Sequence, residues 1–177
     1  MHQALADVIA RLDLTRDALR AAVETIPPAS RDKRPGPERW SVADIVDHLA
    51  LVEARYTSIV SDALVDVRRL AQPADGSARV PLPDHLEATM ANRSVRRPAP
   101  EPFHPTGVDF ETAWAKAGEV RTAFRALLLD ADSLALHTAT YDHPRFGTLD
   151  AYQWVEFVAA HERRHIDQVR ENAAQLA

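Results

Sequence analysis

Apolar residues recur along this chain at intervals of three and four, in four separate stretches. The first carries Leu5, Val8, Ile9, Leu12, Leu19, Val23 and Ile26 and stops at Pro27-Pro28, which predicts an amphipathic helix ended by proline. A link containing Pro35, Gly36 and Pro37 leads to Trp40-Ser41. Ser41 is a natural N-cap, and Asp44, three residues on, supplies the acidic partner of a near capping box. The second helix should open there, with a seam of Ile45, His48/Leu49, Val52, Tyr56, Ile59/Val60, Ala63, Val67 and Leu70. The third opens at Asp109 and buries Phe110, Trp114, Ala117, Phe124 and Leu127/Leu128, with Gly118 as a weak point inside it. After a loop through His137, His143-Pro144 and Gly147, Thr148 is a suitable cap for a last helix that runs nearly to residue 177.

No segment alternates strongly enough to predict a strand. Residues 71–108 hold seven of the twelve prolines, which predicts a long crossover between the second and third helices, relieved by a short helix from Asp84 to about Val95. Four long helices with short outer links and a long middle one predict an all-α four-helix bundle, a single domain over residues 1–177.

The chemistry enters with a literal H-E-x-x-H, His161-Glu162-Arg163-Arg164-His165. On a helix, histidines at i and i+4 project from one face and can reach one metal ion; in metalloproteases the intervening glutamate is the general base. A protease of the commonest kind needs a third ligand downstream, but Glu171 stands where the last histidine of H-E-x-x-H-x-x-G-x-x-H belongs and Gln168 where its glycine belongs. The third ligand is therefore expected upstream. The seam Ala151, Trp154, Val158 continues through His161 and His165 to Val169, Ala173 and Leu176, so both imidazoles face inward, and His48 stands on the inward seam of the second helix. Three buried rings need either three separate hydrogen-bond partners or one shared ion, and a shared metal at His48, His161 and His165 is the expectation. Glu162 is a candidate base on metal-bound water, weighed against an ordinary solvated position beside Arg163 and Arg164. Asp44, Asp167 and Glu162 are candidates to orient the imidazoles, with an N-cap role preferred for Asp44.

Composition narrows the partners. A formal charge of −5 offers nucleic acid no general attraction, and no apolar run is long enough to span a membrane. The N-terminal residues lack the continuous apolar core of a signal peptide, and the absence of cysteine fits a reducing, cytoplasmic compartment. It also removes any thiolate ligand or cysteine nucleophile. Arg93, Arg96 and Arg97 form a basic cluster suited to a carboxylate-bearing substrate, with a solvated charge run as the plainer reading, and His143 is a further candidate at the site's border.

Three segments carry a family resemblance: Trp40-Ser41-Val42-Ala43-Asp44-Ile45-Val46-Asp47-His48-Leu49, His143-Pro144-Arg145-Phe146-Gly147-Thr148-Leu149, and His161-Glu162-Arg163-Arg164-His165-Ile166-Asp167-Gln168. Together with the helix pattern they resemble the DinB/YfiT-like superfamily of bacterial four-helix-bundle metalloenzymes, unrelated to the polymerase that shares the DinB name. The resemblance implies His48, His161 and His165 as ligands of a divalent metal, commonly zinc or nickel, and a homodimer. It also implies a small-molecule substrate and thiol-dependent chemistry with a cosubstrate such as bacillithiol or mycothiol. A thiol S-transferase is the leading expectation. A metal-dependent hydrolase and a non-catalytic, stress-responsive binding bundle are the alternatives, with a protease last.

Overall fold

The apolar stripes wind into helices whose buried faces meet in a bundle. The computed structural model describes residues 1–74, 79–95 and 97–176. Its long helices are α1 (Gln3–Glu24), α2 (Val42–Arg69), α4 (Phe110–Asp130) and α5 (Ala151–Leu176), and the short α3 (Asp84–Ala91) lies in the connection between α2 and α4. α1 lies along α5 and α2 along α4, with α2 and α5 also in contact and α3 packed on α5. The all-α bundle expected from the periodicity is thus the observed fold. Among the described residues, no helix is long and apolar enough to cross a membrane.

Local chemistry sets most helix starts. At α2 the Ser41 hydroxyl accepts from the Asp44 amide at 3.0 Å while Asp44 accepts from the Ser41 amide at 3.0 Å, a complete capping box. The Asp44 carboxylate also takes the Arg34 guanidinium fork. At α4 the Asp109 side chain accepts from the Thr112 amide.

The last helix departs from expectation. Thr148 does not cap it but lies in a two-stranded antiparallel hairpin, β1 (Thr140–His143) with β2 (Gly147–Asp150). Its hydroxyl donates across the hairpin to Asp142. The reciprocal bonds that open α5 run between Asp150 and Gln153, at 3.0 and 2.9 Å. Strands of four residues are too short to print an alternating pattern, and Gly147, at φ 77°, supplies the left-handed backbone that the turn requires.

Two further expectations shift. The short crossover helix ends at Ala91, short of Val95, because the Asn92 side chain accepts from the amide and hydroxyl of Ser94 and so competes with helix continuation. Leu70 leaves the α2 seam for solvent, and Leu64, next to the seam position Ala63, is fully buried.

The crossover is stitched to the bundle by charge. The buried Glu156 accepts from Arg11, Arg79 and the Leu82 amide, and Glu87 of α3 accepts from Arg11 and Arg163. The backbone at Gln72 and Ala74 pairs with Ser133 and Ala135, tying the crossover's start to the link after α4.

Deeper in the bundle lies a four-membered ion cluster that draws one charge from each long helix. Arg121 of α4 donates through Nε and Nη2 to Glu53 of α2 at 2.5 and 3.1 Å, and through Nη2 to Glu162 of α5 at 3.1 Å. Arg16 of α1 donates to Glu162 at 2.8 Å and to Glu53 at 3.0 Å. The remaining guanidinium donors reach the carbonyls of Leu12 and Ala117, and the Thr15 hydroxyl donates to Glu162. Burial alone would lower the Arg121 pKa, but the Glu162 and Glu53 carboxylates raise it above its ordinary value.

Replacing Arg121 by alanine leaves two buried carboxylates facing Arg16 alone. The expected loss is about 3–5 kcal/mol of unfolding free energy by urea titration. An effect below about 1 kcal/mol would show that the cluster is not holding the helices.

Asp150 makes a pH-dependent contribution. Burial, reinforced by the Glu156 charge and opposed by the Gln153 and Tyr152 amides, pushes its carboxyl up from 3.8 to about 6. Folding therefore favours the protonated acid, and this stabilisation is complete below pH 3.8 and lost as pH rises through about 6. Asp150→Asn, which can still cap α5, should gain about 1–2 kcal/mol relative to the unsubstituted protein between pH 4 and pH 7. Parallel stability curves for the two proteins would exclude this assignment.

Candidate metal centre

His48 lies on the second turn of α2, and His161 and His165 lie one turn apart on α5, so the α2–α5 contact brings the three rings face to face. One ligand nitrogen from each lies within 4.8 Å of the others. Ring centroids are separated by 5.3 Å for His48–His161, 4.8 Å for His48–His165 and 4.6 Å for His161–His165. His48 and His165 are buried, whereas His161 is partly open to solvent.

Hydrogen bonding defines which nitrogens are free. His48 Nδ1 is 2.7 Å from the Phe103 carbonyl oxygen, which can only accept, so Nδ1 carries the proton and Nε2 keeps its lone pair. His165 Nδ1 is 2.8 Å from Gln168 Oε1, which assigns the same tautomer. His165 Nε2 then sits 3.2 Å from His161 Nε2. Two nitrogens bound to one tetrahedral zinc at about 2.0–2.1 Å stand about 3.3 Å apart, so this pair already has the spacing of shared ligands.

Electrostatics favour the neutral, metal-binding form. Burial pushes the His165 and His161 pKa values well below the ordinary histidine range, and the neighbouring imidazoles and Arg164 add to the effect. His48 is also lowered, chiefly by burial, against the opposing bond to Phe103. Imidazoles that stay unprotonated keep their lone pairs for a cation. The donor set therefore fits a divalent ion: three neutral nitrogens on two helices, two of them oriented through their far side.

Most of the other residues suggested by sequence have partners of their own. Glu162 is only 2 % exposed, so it is not a solvated helix position. Both its oxygens are engaged by Thr15, Arg16 and Arg121 on the side of α5 facing α1 and α4. His143 uses Nδ1 to accept from the Arg145 and Phe146 amides, fastening the hairpin turn, while its ring packs on Phe146, Phe157 and Trp154. Arg93 pairs with Glu171, and Arg97 donates to the Thr89 carbonyl. Arg96 lies outside the described residues. Asp44 completes the α2 capping box by accepting from the Ser41 amide, and Asp167 pairs with Arg170 at the surface.

Three further contributors to the site carry little or no signal of that role in the sequence. The Phe103 carbonyl left no sequence signal, because any residue supplies one. Gln168, three residues after His165, stands in the sequence at the glycine position of the protease template and at the end of the final-helix motif, and its i+3 spacing is the signal that marks it as a ring partner. Trp40, whose ring lies 4.9 Å from His48 and 6.3 Å from His165, stands in the sequence before the Ser41 cap and opens the second-helix motif, and neither feature places it against the rings.

His48→Ala and His161→Ala should each abolish stoichiometric binding of zinc or nickel while leaving the helical circular dichroism intact, because the apolar core and the ion cluster do not include these rings. Unchanged metal content in both variants, measured by mass spectrometry, would remove them as ligands.

The family model for the DinB superfamily matches residues 11–169, a span that includes all three histidines. An uncharacterized protein of Bacillus subtilis (strain 168), YuaE, is 26 % identical over 145 residues, covering 79 % of this chain and 81 % of its own length. No solved structure gives a significant match. With a family match over most of its length and a helical bundle that brings three histidines together, the chain belongs to the DinB superfamily.

Proposed function

We propose that this protein is a metal-dependent enzyme holding zinc or nickel at His48, His161 and His165, and that its reaction is transfer of a low-molecular-weight thiol to a small electrophile. The observation that carries the reading is the convergence of three neutral imidazoles with two far-side nitrogens already bonded. When bound by three neutral ligands, a divalent ion keeps its full charge and brings a thiol or water near neutral pH to its nucleophilic form. The chain contains no cysteine, so a sulfur nucleophile has to arrive as a cosubstrate.

The chain's own residues supply orientation. Phe103 and Gln168 fix the His48 and His165 rings, and the Trp40 ring covers both of these imidazoles. His161, the most open of the three, is the ring that a small molecule would meet first. Arg93 and Arg97 are the candidates for reading a carboxylate on the thiol, since each guanidinium has donors beyond those spent on Glu171 and the Thr89 carbonyl. We assign Glu162 to the ion cluster and not to proton transfer, because both its oxygens are occupied by Thr15, Arg16 and Arg121.

The test begins with protein prepared without an affinity tag or chelator. It should contain about one divalent ion per chain. Conjugation of bacillithiol or mycothiol to chlorodinitrobenzene should require that ion and fall by about 100-fold or more in His161→Ala. Protein that neither carries nor takes up metal would end this reading. Bound metal with ester hydrolysis but no thiol consumption would replace the transferase with a hydrolase.

A further inference from the structure

The imidazole on α2 is oriented by a backbone carbonyl from the crossover, 55 residues away in sequence. Such a partner works only if the backbone that carries it is itself held. Phe103 ends a short 3₁₀ turn, Glu101–Phe103, within a segment where Pro98, Pro100, Pro102 and Pro105 fix φ at four positions. Three residues later the chain is fastened to the residue preceding His48. The Asp47 carboxylate, 1 % exposed, accepts from the Thr106 amide at 2.7 Å and the Thr106 hydroxyl at 2.8 Å, both on Oδ2. Its Oδ1 accepts from Lys116 Nζ of α4 at 3.0 Å. Gly107, at φ 82°, then turns the chain away toward α4.

A buried carboxylate is stable only when its oxygens are matched by donors, so Asp47 holds Thr106 firmly. Because Asp47 and His48 are adjacent on α2, the anchor and the bond it protects share one helical turn. The stiff segment between Phe103 and Thr106 transmits the anchor's position to the carbonyl.

From this geometry we propose that Asp47 and Thr106 are positioning residues: together they clasp the crossover to α2 and thereby hold the Phe103 carbonyl on His48 Nδ1, keeping Nε2 as the inward lone pair. The proposal rests on the metal reading for its functional meaning, since a ligand locked in one tautomer and one orientation binds more tightly. The clasp itself is a property of the protein without metal.

Two measurements on the full chain test it. In metal-free protein, long-range proton–nitrogen NMR of the imidazoles should show His48 as the Nδ1–H tautomer, and Asp47→Ala and Thr106→Val should give mixed tautomers. In cobalt(II) titrations, Asp47→Ala should weaken binding by about 10- to 100-fold and alter the visible absorption bands. Thr106→Val, which keeps the amide but loses the hydroxyl, should weaken binding by about 3- to 10-fold, and Thr106→Ser should restore it. If Asp47→Ala fails to fold, the Thr106→Val and Thr106→Ser pair decides. An unchanged tautomer together with unchanged cobalt affinity in folded variants overturns the clasp while leaving the metal reading intact. If the unsubstituted protein takes up no cobalt, the metal reading falls and the tautomer measurement still decides the clasp.

Discussion

Two buried carboxylates and two guanidiniums, one from each long helix, constrain everything else in this bundle. Glu53, Glu162, Arg16 and Arg121 neutralise one another away from water. Apolar burial is non-directional, so by itself it discriminates between neighbouring helix registers less sharply than a paired charge does. A displacement of one residue strands a buried charge without a partner at a cost of several kcal/mol. The cluster therefore fixes the rotation and height of α5 against the other helices. Glu162 follows His161 by one residue and precedes His165 by three, so the register that satisfies the carboxylate turns both imidazoles toward α2. One turn of helix serves structure on one face and candidate chemistry on the other.

The crossover between α2 and α4 is the second constraint. A proline-rich connection has few backbone donors with which to build regular structure, and here it is held by side-chain charges on the bundle. Glu156 and Glu87 anchor its middle, Arg164 binds the carbonyls of Asn92 and Val95, and Asp47 fastens its end. The segment forms part of the candidate centre, because its Phe103 carbonyl orients a histidine. The part of the chain with the least periodicity thus supplies a contact on which the geometry of the site depends.

Much of this was legible in the chain itself. The four helices follow from apolar spacing, and the starts of α2 and α4 follow from Ser41, Asp44 and Asp109, because caps act over three residues and depend on nothing distant. The inward direction of His48, His161 and His165 follows from the same periodicity, since side-chain direction on a helix is set locally. The hairpin before α5 was not legible: its strands are too short to print a period, and its formation depends on Leu149 and its neighbours packing on the bundle.

Tertiary structure alone decided the roles of the charged residues whose partners are distant in sequence. Glu162 read either as a base or as a solvated position, and became a buried counter-ion only when Arg16 and Arg121, distant in sequence, arrived beside it. Asp47 carried no signal until Thr106 and Lys116 met it. The physical reason is range. Helix formation and side-chain direction depend on residues within about one turn, so a linear reading captures them. The partner of a buried charge or the far nitrogen of an imidazole is selected by packing between segments tens of residues apart, and only the folded chain brings those segments together.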